Sequence, residues 1–277
     1  MQADPAGSRR ATAWESLRAR RPPECHLQTA GLAAVPAGVS AVPVGLSAVP
    51  AGLPAAPAGL CLVCRGPVRA GYLRCFQCDL HAQSAPGLLA DVVAPAAYAA
   101  KGGPLARDLW LYKSGRDGSG PAAARVLSLL LLFLHEQGPQ IWRAAGMGRP
   151  TAVCVVPSGR GRPGPHPLRV LAAPYLARPW LTLRPRPGGD PWARTLDPAR
   201  FRVTRLRAGA AMLLLDDTWV SGASAQSAAV ALKLAGAAAV AVVVVGRHLP
   251  ATSPPIGHSG HALPAAPGAG ARPGSIG

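Results

Sequence analysis

Apolar positions along the chain fall into two kinds of run. TAVCVVP (151–157), Ala211–Leu215 and Val240–Val245 are continuous apolar stretches of strand length, and DVVAPAAYA (91–99) reads as a short strand or extended entry. Helical spacing appears in PLARDLWLYK (104–113), with Leu105, Leu109 and Tyr112 on one face. It appears again from Pro121 through Gln137, where Pro121 opens the helix and Gly138 closes it. Pro167–Ala177 and Ala223–Ala235 predict further helices, the second closed by Gly236. Phe201–Arg207 alternates apolar and basic residues, as an edge strand or hairpin arm would. Strands that are apolar throughout and separated by helices predict an α/β fold with a mostly parallel sheet flanked by helices. The unit 211–245 carries this expectation most clearly. Ala228–Gly246 is almost wholly apolar, but Lys233 and Gly236 interrupt it, so it reads as a buried helix and strand, with no membrane span.

Other segments have no such pattern. Residues 1–30 are polar and Arg-rich. Residues 34–54 repeat AVPAGVS, AVPVGLS, AVPAGLP, and a proline at the third position of each unit denies donors to both helix and sheet. A flexible or polyproline-like linker is expected there. Residues 250–277 are rich in Pro, Gly and Ser. The chain therefore divides into a disordered tail (1–60), a cysteine module (61–81), an α/β domain (90–249) and a second disordered tail (250–277). Within the domain, Arg178–Asp197 is Pro/Gly-rich and basic, and is expected to form a long mobile loop.

Of six cysteines, four form two C-x-x-C pairs, Cys61/Cys64 and Cys75/Cys78, while Cys25 and Cys154 stand apart. Each pair can form a turn that aims both sulfurs at one centre, and two such turns complete the tetrahedral S₄ set that zinc favours. Structural Zn²⁺ is the expectation, with His81 a bystander because four sulfurs already close the site. Thiols in this pattern, together with the lack of an apolar leader run, suit a reducing, cytoplasmic setting.

The net charge is +17, and Arg outnumbers Lys 26 to 3. Such a surface attracts phosphate groups in nucleic acid and in small phosphorylated substrates alike. GC-rich coding, which favours Ala, Gly, Pro and Arg, produces the same excess, so charge alone selects no partner. On the cysteine module, Arg65, Arg69 and Arg74 offer phosphate contacts, and Tyr72 and Phe76 offer stacking surfaces.

The segment MLLLDDTWVSGASAQSAA, from Met212, is the most informative. A buried strand delivers Asp216 and Asp217, and a loop of small and hydroxyl residues then opens a helix. Ligands of open α/β sheets bind beyond the carboxyl ends of strands, and helix N-termini attract anions. Carboxylates for sugar hydroxyls or a Mg²⁺-bound sugar, beside the amides and hydroxyls of Thr218, Val220, Ser221, Gly222, Ala223 and Ser224, make a ribose 5-phosphate site.

This segment resembles the 13-residue signature of type I phosphoribosyltransferases, although Val220-Ser221 stands where a Thr-Thr pair is common and Trp219 is bulky. The order of cysteine knuckle, YKSGR (112–116), strand plus VPSGRGR (156–162), basic loop and acidic pair resembles the ComF family over roughly residues 61–248. The resemblance implies that Mg²⁺-phosphoribosyl pyrophosphate is bound and its phosphoribosyl group passed to a nitrogen acceptor. Asp216 and Asp217 would grip the ribose, and Ser158, Gly159 and Arg160 (or Arg162) would hold pyrophosphate. Lys113 is placed like a family lysine, and Arg178–Arg207 corresponds to a closing loop whose Arg194 would reach the leaving group. The same resemblance implies two alternatives. One is a non-catalytic accessory protein handling single-stranded DNA or meeting DNA-uptake proteins, and the other is a ribose-phosphate sensor.

Overall fold

The computed structural model describes residues 59–158, 164–187 and 193–249; the repeat at 34–54, Cys25 and both tails lie outside them. In chain order the elements are α1 (Phe76–Ser84), β1 (Val92–Ala100), α2 (Pro104–Leu111), α3 (Ser119–Ala144), β2 (Ala152–Val155) and α4 (Pro167–Ala172). These are followed by β3 (Leu183–Pro185), β4 (Phe201–Val203), β5 (Ala211–Trp219), α5 (Ala223–Leu234) and β6 (Ala239–Leu249). Four strands form a parallel sheet in the order β1-β6-β5-β2, and β3 and β4 form a separate antiparallel pair. The expected α/β architecture is present, and Ala228–Gly246 is helix followed by strand, buried except for its exposed turn around Leu234–Gly236. Among the described residues, no helix is long and apolar enough to cross a membrane.

Two apolar cores follow from strand alternation. Leu213 and Leu215 of β5, with Ala241 and Val243 of β6, pack under α2, α3 and α4, whose Leu109, Leu130 and Leu168 are buried there. Met212 and Leu214, with Val240, Val242 and Val244, face α5 and the cysteine module. Asp91 secures the entry to β1 on that side. One carboxylate oxygen accepts the Val240 N–H at 2.7 Å, and the other meets Lys233 Nζ at 2.7 Å.

Several elements differ from the sequence expectation. The helix expected to close at Gly138 continues to Ala144 through Pro139. Gly138 packs against the Trp142 indole, and Ile141 is fully buried, so apolar burial beyond the proline outweighs the backbone donor that Pro139 lacks. The helix expected over Pro167–Ala177 ends at Ala172. The basic stretch expected as one long loop contains β3, paired with β4. β1 is a full nine-residue strand with Pro95 inside it, tolerated because β1 lies at the sheet edge and Pro95 needs no outward donor.

The largest difference lies in β5, which runs past Leu215 through both aspartates to Trp219 because β6 continues beside it to Leu249. Its ladder with β6 steps from Asp216↔Val244 to Thr218↔Gly246. Regular alternation would put Leu215 and Trp219 on one face, yet Leu215 lies in the first core and Trp219 in the second. The break is shared at the same level by β1, where adjacent Ala96 and Ala97 both enter the first core. In β6, Val245 enters that core, and a Cβ on the next residue, Gly246, would lie 2.5 Å from Leu109 Cδ1. Glycine at 246 is therefore required by space: two consecutive residues point at α2, and only one can carry a side chain. Gly246→Val should cost about 1–3 kcal/mol in urea unfolding through overpacking. Because Leu109 would be displaced, the change should also disturb Tyr112 and Lys113 just beyond α2.

Candidate functional site

β2 ends at Val155 opposite Leu215, while β5 continues for four more residues. The edge of β5 beyond Leu215 borders a cavity of about 1020 Å³ at the carboxyl end of the sheet. Asp216, Asp217, Thr218, Ser224 and Ser158 all line it. The break in alternation lets two adjacent carboxylates face one cavity, which a regular strand would forbid. Val220, Ser221, Gly222 and Ala223 do not line it; they form the turn behind this wall. Gly159, Arg160 and Arg162 lie outside the described residues.

The two aspartates have different surroundings. Asp217 is buried, and its Oδ2 accepts the Tyr112 hydroxyl at 2.6 Å and lies 2.5 Å from Lys113 Nζ. His166 Nε2 stands 3.5 Å from the same oxygen. His166 Nδ1 accepts the Leu168 N–H at 3.2 Å, so a neutral ring carries its proton on Nε2, facing Asp217. Burial alone would raise the Asp217 carboxyl, but Lys113, His166 and the Tyr112 hydroxyl overcome it and hold the group below the usual carboxylate range. Asp216 has no such cage. Burial and the adjacent Asp217 charge, only partly offset by Lys113 and local backbone N–H groups, push it from 3.8 up to about 8. The pair thus divides into a carboxylate held low by its neighbours and a carboxyl pushed up towards about 8.

The bend after β5 folds over an indole. Trp219 is buried beneath it, and Gly222 takes φ +81° where a Cβ would sit 2.1 Å from the Trp219 ring. The bulky Trp219 is therefore the floor of the turn. α5 opens at Ala223, whose N–H is accepted by Ser221 Oγ at 3.3 Å. Ser224 Oγ accepts Arg200 Nη1 at 3.1 Å, and Arg200 Nη2 also donates to the Ala193 and Thr195 carbonyls. Arg194, from the same basic segment, is exposed and does not line the cavity. Arg116 and Arg169 line the same cavity, as does Lys113. Arg169 donates to Thr182 Oγ1 at 2.8 Å and lies over the Trp180 ring.

Sequence reasoning singled out Lys113 but missed Tyr112 as a polar contact, along with His166, Arg169 and Arg200. Tyr112 was absorbed into an apolar helical face. His166 carries one local signal, its place before Pro167 at the opening of α4, and nothing in its spacing links it to Asp217.

Cys61, Cys64, Cys75 and Cys78 have their sulfurs within 4.8 Å of one another, with Cys64 Sγ 3.7 Å from Cys75 Sγ. Sulfur–zinc bonds of about 2.3 Å give a tetrahedral edge of about 3.8 Å, so the donor set is compatible with zinc in both chemistry and spacing. Cys61, Cys64 and Cys78 are buried in the second core, which seats the module on the sheet. Tyr98 reinforces the seat, its hydroxyl donating to the Arg65 carbonyl at 2.8 Å. His81 is buried, but neither ring nitrogen has a hydrogen-bond partner, and it is not among the clustered ligands.

The divided aspartates give a pH test. Between about pH 4 and about 8 the native state keeps a proton on Asp216 that the unfolded chain releases, so this group lowers stability as pH rises across that window. Asp216→Asn should gain thermal stability over wild type progressively through the window, with the difference levelling above about pH 8. Parallel wild-type and variant profiles would refute the assignment.

Comparison with protein-family models, curated proteins and solved structures finds no match for this chain.

Proposed function

We propose that this protein binds Mg²⁺-phosphoribosyl pyrophosphate in the cavity at the carboxyl end of the sheet and transfers the phosphoribosyl group to a nitrogen nucleophile. The observation that carries this reading is the wall composition of one cavity. Two carboxyl groups, the hydroxyls of Thr218 and Ser224, and the cationic side chains of Lys113, Arg116 and Arg169 all line it, with Lys113 against Asp217. Carboxylates suit sugar hydroxyls, and a helix opening with hydroxyls suits a 5-phosphate. The cationic side chains suit the pyrophosphate.

In the transfer, a C1–N bond forms, the C1–O bond to pyrophosphate breaks, and the nitrogen releases a proton. Asp217, held by Tyr112, Lys113 and His166, would give the ribose a fixed anchor. Asp216 would ionise when a metal-bearing sugar enters, placing negative charge beside the ring as positive charge develops there. Magnesium would neutralise the pyrophosphate, with Asp216 the side chain placed to meet it. Arg116 and Arg169 would stabilise the departing charge. Lys113 lies against Asp217 and would mainly set that carboxylate.

Titration calorimetry with phosphoribosyl pyrophosphate and Mg²⁺ tests the reading. Wild type should bind, and Asp216→Ala should lose at least about tenfold in affinity, equivalent to about 1.4 kcal/mol. Binding should tighten as pH rises towards about 8, because Asp216 must lose its proton to accept the cation, and Asp216→Asn should abolish that slope. Absence of binding would end the proposal. Pyrophosphate release with a panel of bases and amines separates a transferase from a ribose-phosphate sensor, which would bind without turnover.

The cysteine set would hold a structural zinc, closed by four sulfurs and so without an open position for catalysis. A second reading, contact with single-stranded DNA, is favoured by the module's surface. Tyr72 and Phe76 are 67% and 76% exposed beside Arg69 and Arg74. Stacking on exposed rings is worth about 1–3 kcal/mol per base. A Tyr72→Ala/Phe76→Ala variant should therefore lose at least about fivefold in fluorescence-anisotropy affinity for a single-stranded oligonucleotide at fixed salt. Equal affinity would remove this reading.

A further inference from the structure

We propose that Arg247 is a positioning residue that ties the cysteine cluster to the bend after β5, so that metal in the cluster and anion at the bend are linked. The link rests on the proposed function only for the identity of that anion.

Arg247 lies near the end of β6, level with Trp219 on one side and Tyr98 on the other. Its Nη1 donates to three carbonyls: Trp219 and Val220, each at 3.1 Å, and His248 at 2.6 Å. The first two belong to the start of the bend that leads into α5. The rest of the guanidinium faces the cysteine module. A Cβ on Gly66 would lie 2.6 Å from Arg247 Nη2 and 3.0 Å from Nε, so the module leaves a glycine-sized gap for this side chain. Gly66 belongs to the first knuckle, since its carbonyl accepts the Cys61 N–H at 2.7 Å. Arg247 Nε is buried on this side without a hydrogen-bond partner.

Charge balance gives the contact its purpose. Zinc with four thiolates carries a net charge of about −2. A buried charge of that size needs compensation. Arg65 is buried in the same knuckle and interacts electrostatically with Cys61 and Cys64, and Arg247 supplies the second positive charge. Groups around a metal's ligands that neutralise or hydrogen-bond them hold the site together. Loss of metal would remove the charge that holds the guanidinium, with its buried Nε, against the knuckle. The guanidinium would then swing towards water and release the Trp219 and Val220 carbonyls. By linkage, an anion that orders the bend must also tighten metal binding.

The test uses the full chain loaded with zinc, or with cobalt for its thiolate absorption bands, and compares wild type, Arg247→Met and Arg247→Lys. Arg247→Met should weaken metal binding about 10–100-fold in a chelator competition. It should also shift the cobalt bands and speed hydrogen exchange at amides 220–226. Arg247→Lys keeps the charge but not the fork, so metal affinity should recover in part while the bend still exchanges fast. Stripping metal from wild type should speed exchange at the bend, and stripping it from Arg247→Met should add little. Should Arg247→Met fail to fold, Gly66→Ala pushes the guanidinium out of its gap and should act in the same direction. Unchanged metal affinity and cobalt bands in the folded variant would overturn the link. So would bend exchange indifferent to metal removal in a wild-type chain that stays folded. If phosphoribosyl pyrophosphate fails to bind wild type, the proposed function falls, while the metal and exchange measurements still decide the role of Arg247.

Discussion

The structure depends on a break in side-chain alternation that runs across three adjacent parallel strands. At one level of the sheet, Ala96–Ala97, Asp216–Asp217 and Val245–Gly246 each turn two successive residues the same way. Because β1, β5 and β6 make the change together, their pairing continues beyond it to Ala100, Trp219 and Leu249. Small residues make it possible: two alanines in β1 and a glycine in β6 where α2 crowds the sheet. The functional consequence appears in β5, where the residues turned together are carboxylates. A chain that alternated regularly through this level would send one of them into an apolar core, where an unpaired charge is costly.

Two adjacent acids in one cavity repel, and the surrounding elements resolve the conflict by treating them unequally. Tyr112 and Lys113 follow the end of α2, and His166 precedes α4; all three converge on a single oxygen of Asp217. Asp216 is left to burial and to its neighbour's charge. The bidentate pair of Arg125 with Asp108, at 2.7 and 2.6 Å, joins α3 to α2 and keeps that cage in place. Packing thus serves electrostatics here, because the ends of the helices that cover the first core hold Tyr112, Lys113 and His166 against the acidic pair.

The sequence disclosed what depends on local pattern and withheld what depends on tertiary contact. Apolar runs disclosed β2, β5 and β6, and C-x-x-C spacing disclosed the sulfur cluster. The extension of β5 to Trp219 was hidden because DDTW has no strand-like periodicity; the neighbouring strand β6 imposes it. The continuation of α3 through Gly138-Pro139 was hidden for a similar reason, since both residues signal a stop and only the burial of Ile141 reverses them. The acidic pair could be read as a site, but its division into fixed and responsive members could not. That division is made by Lys113 together with His166 and Tyr112, the last two lying 51 and 105 residues from Asp217 in the chain. Arg247, just past the apolar run, carries no local signal of a role, yet it touches two parts of the molecule at once.

Pro95 also bears on how copies of this protein coexist. β1 forms one rim of the sheet, nine residues long and almost wholly apolar, the kind of border onto which another chain could zip. With a proline at its middle, that border has a gap in its row of outward donors, so an approaching strand would find its ladder interrupted after a few rungs.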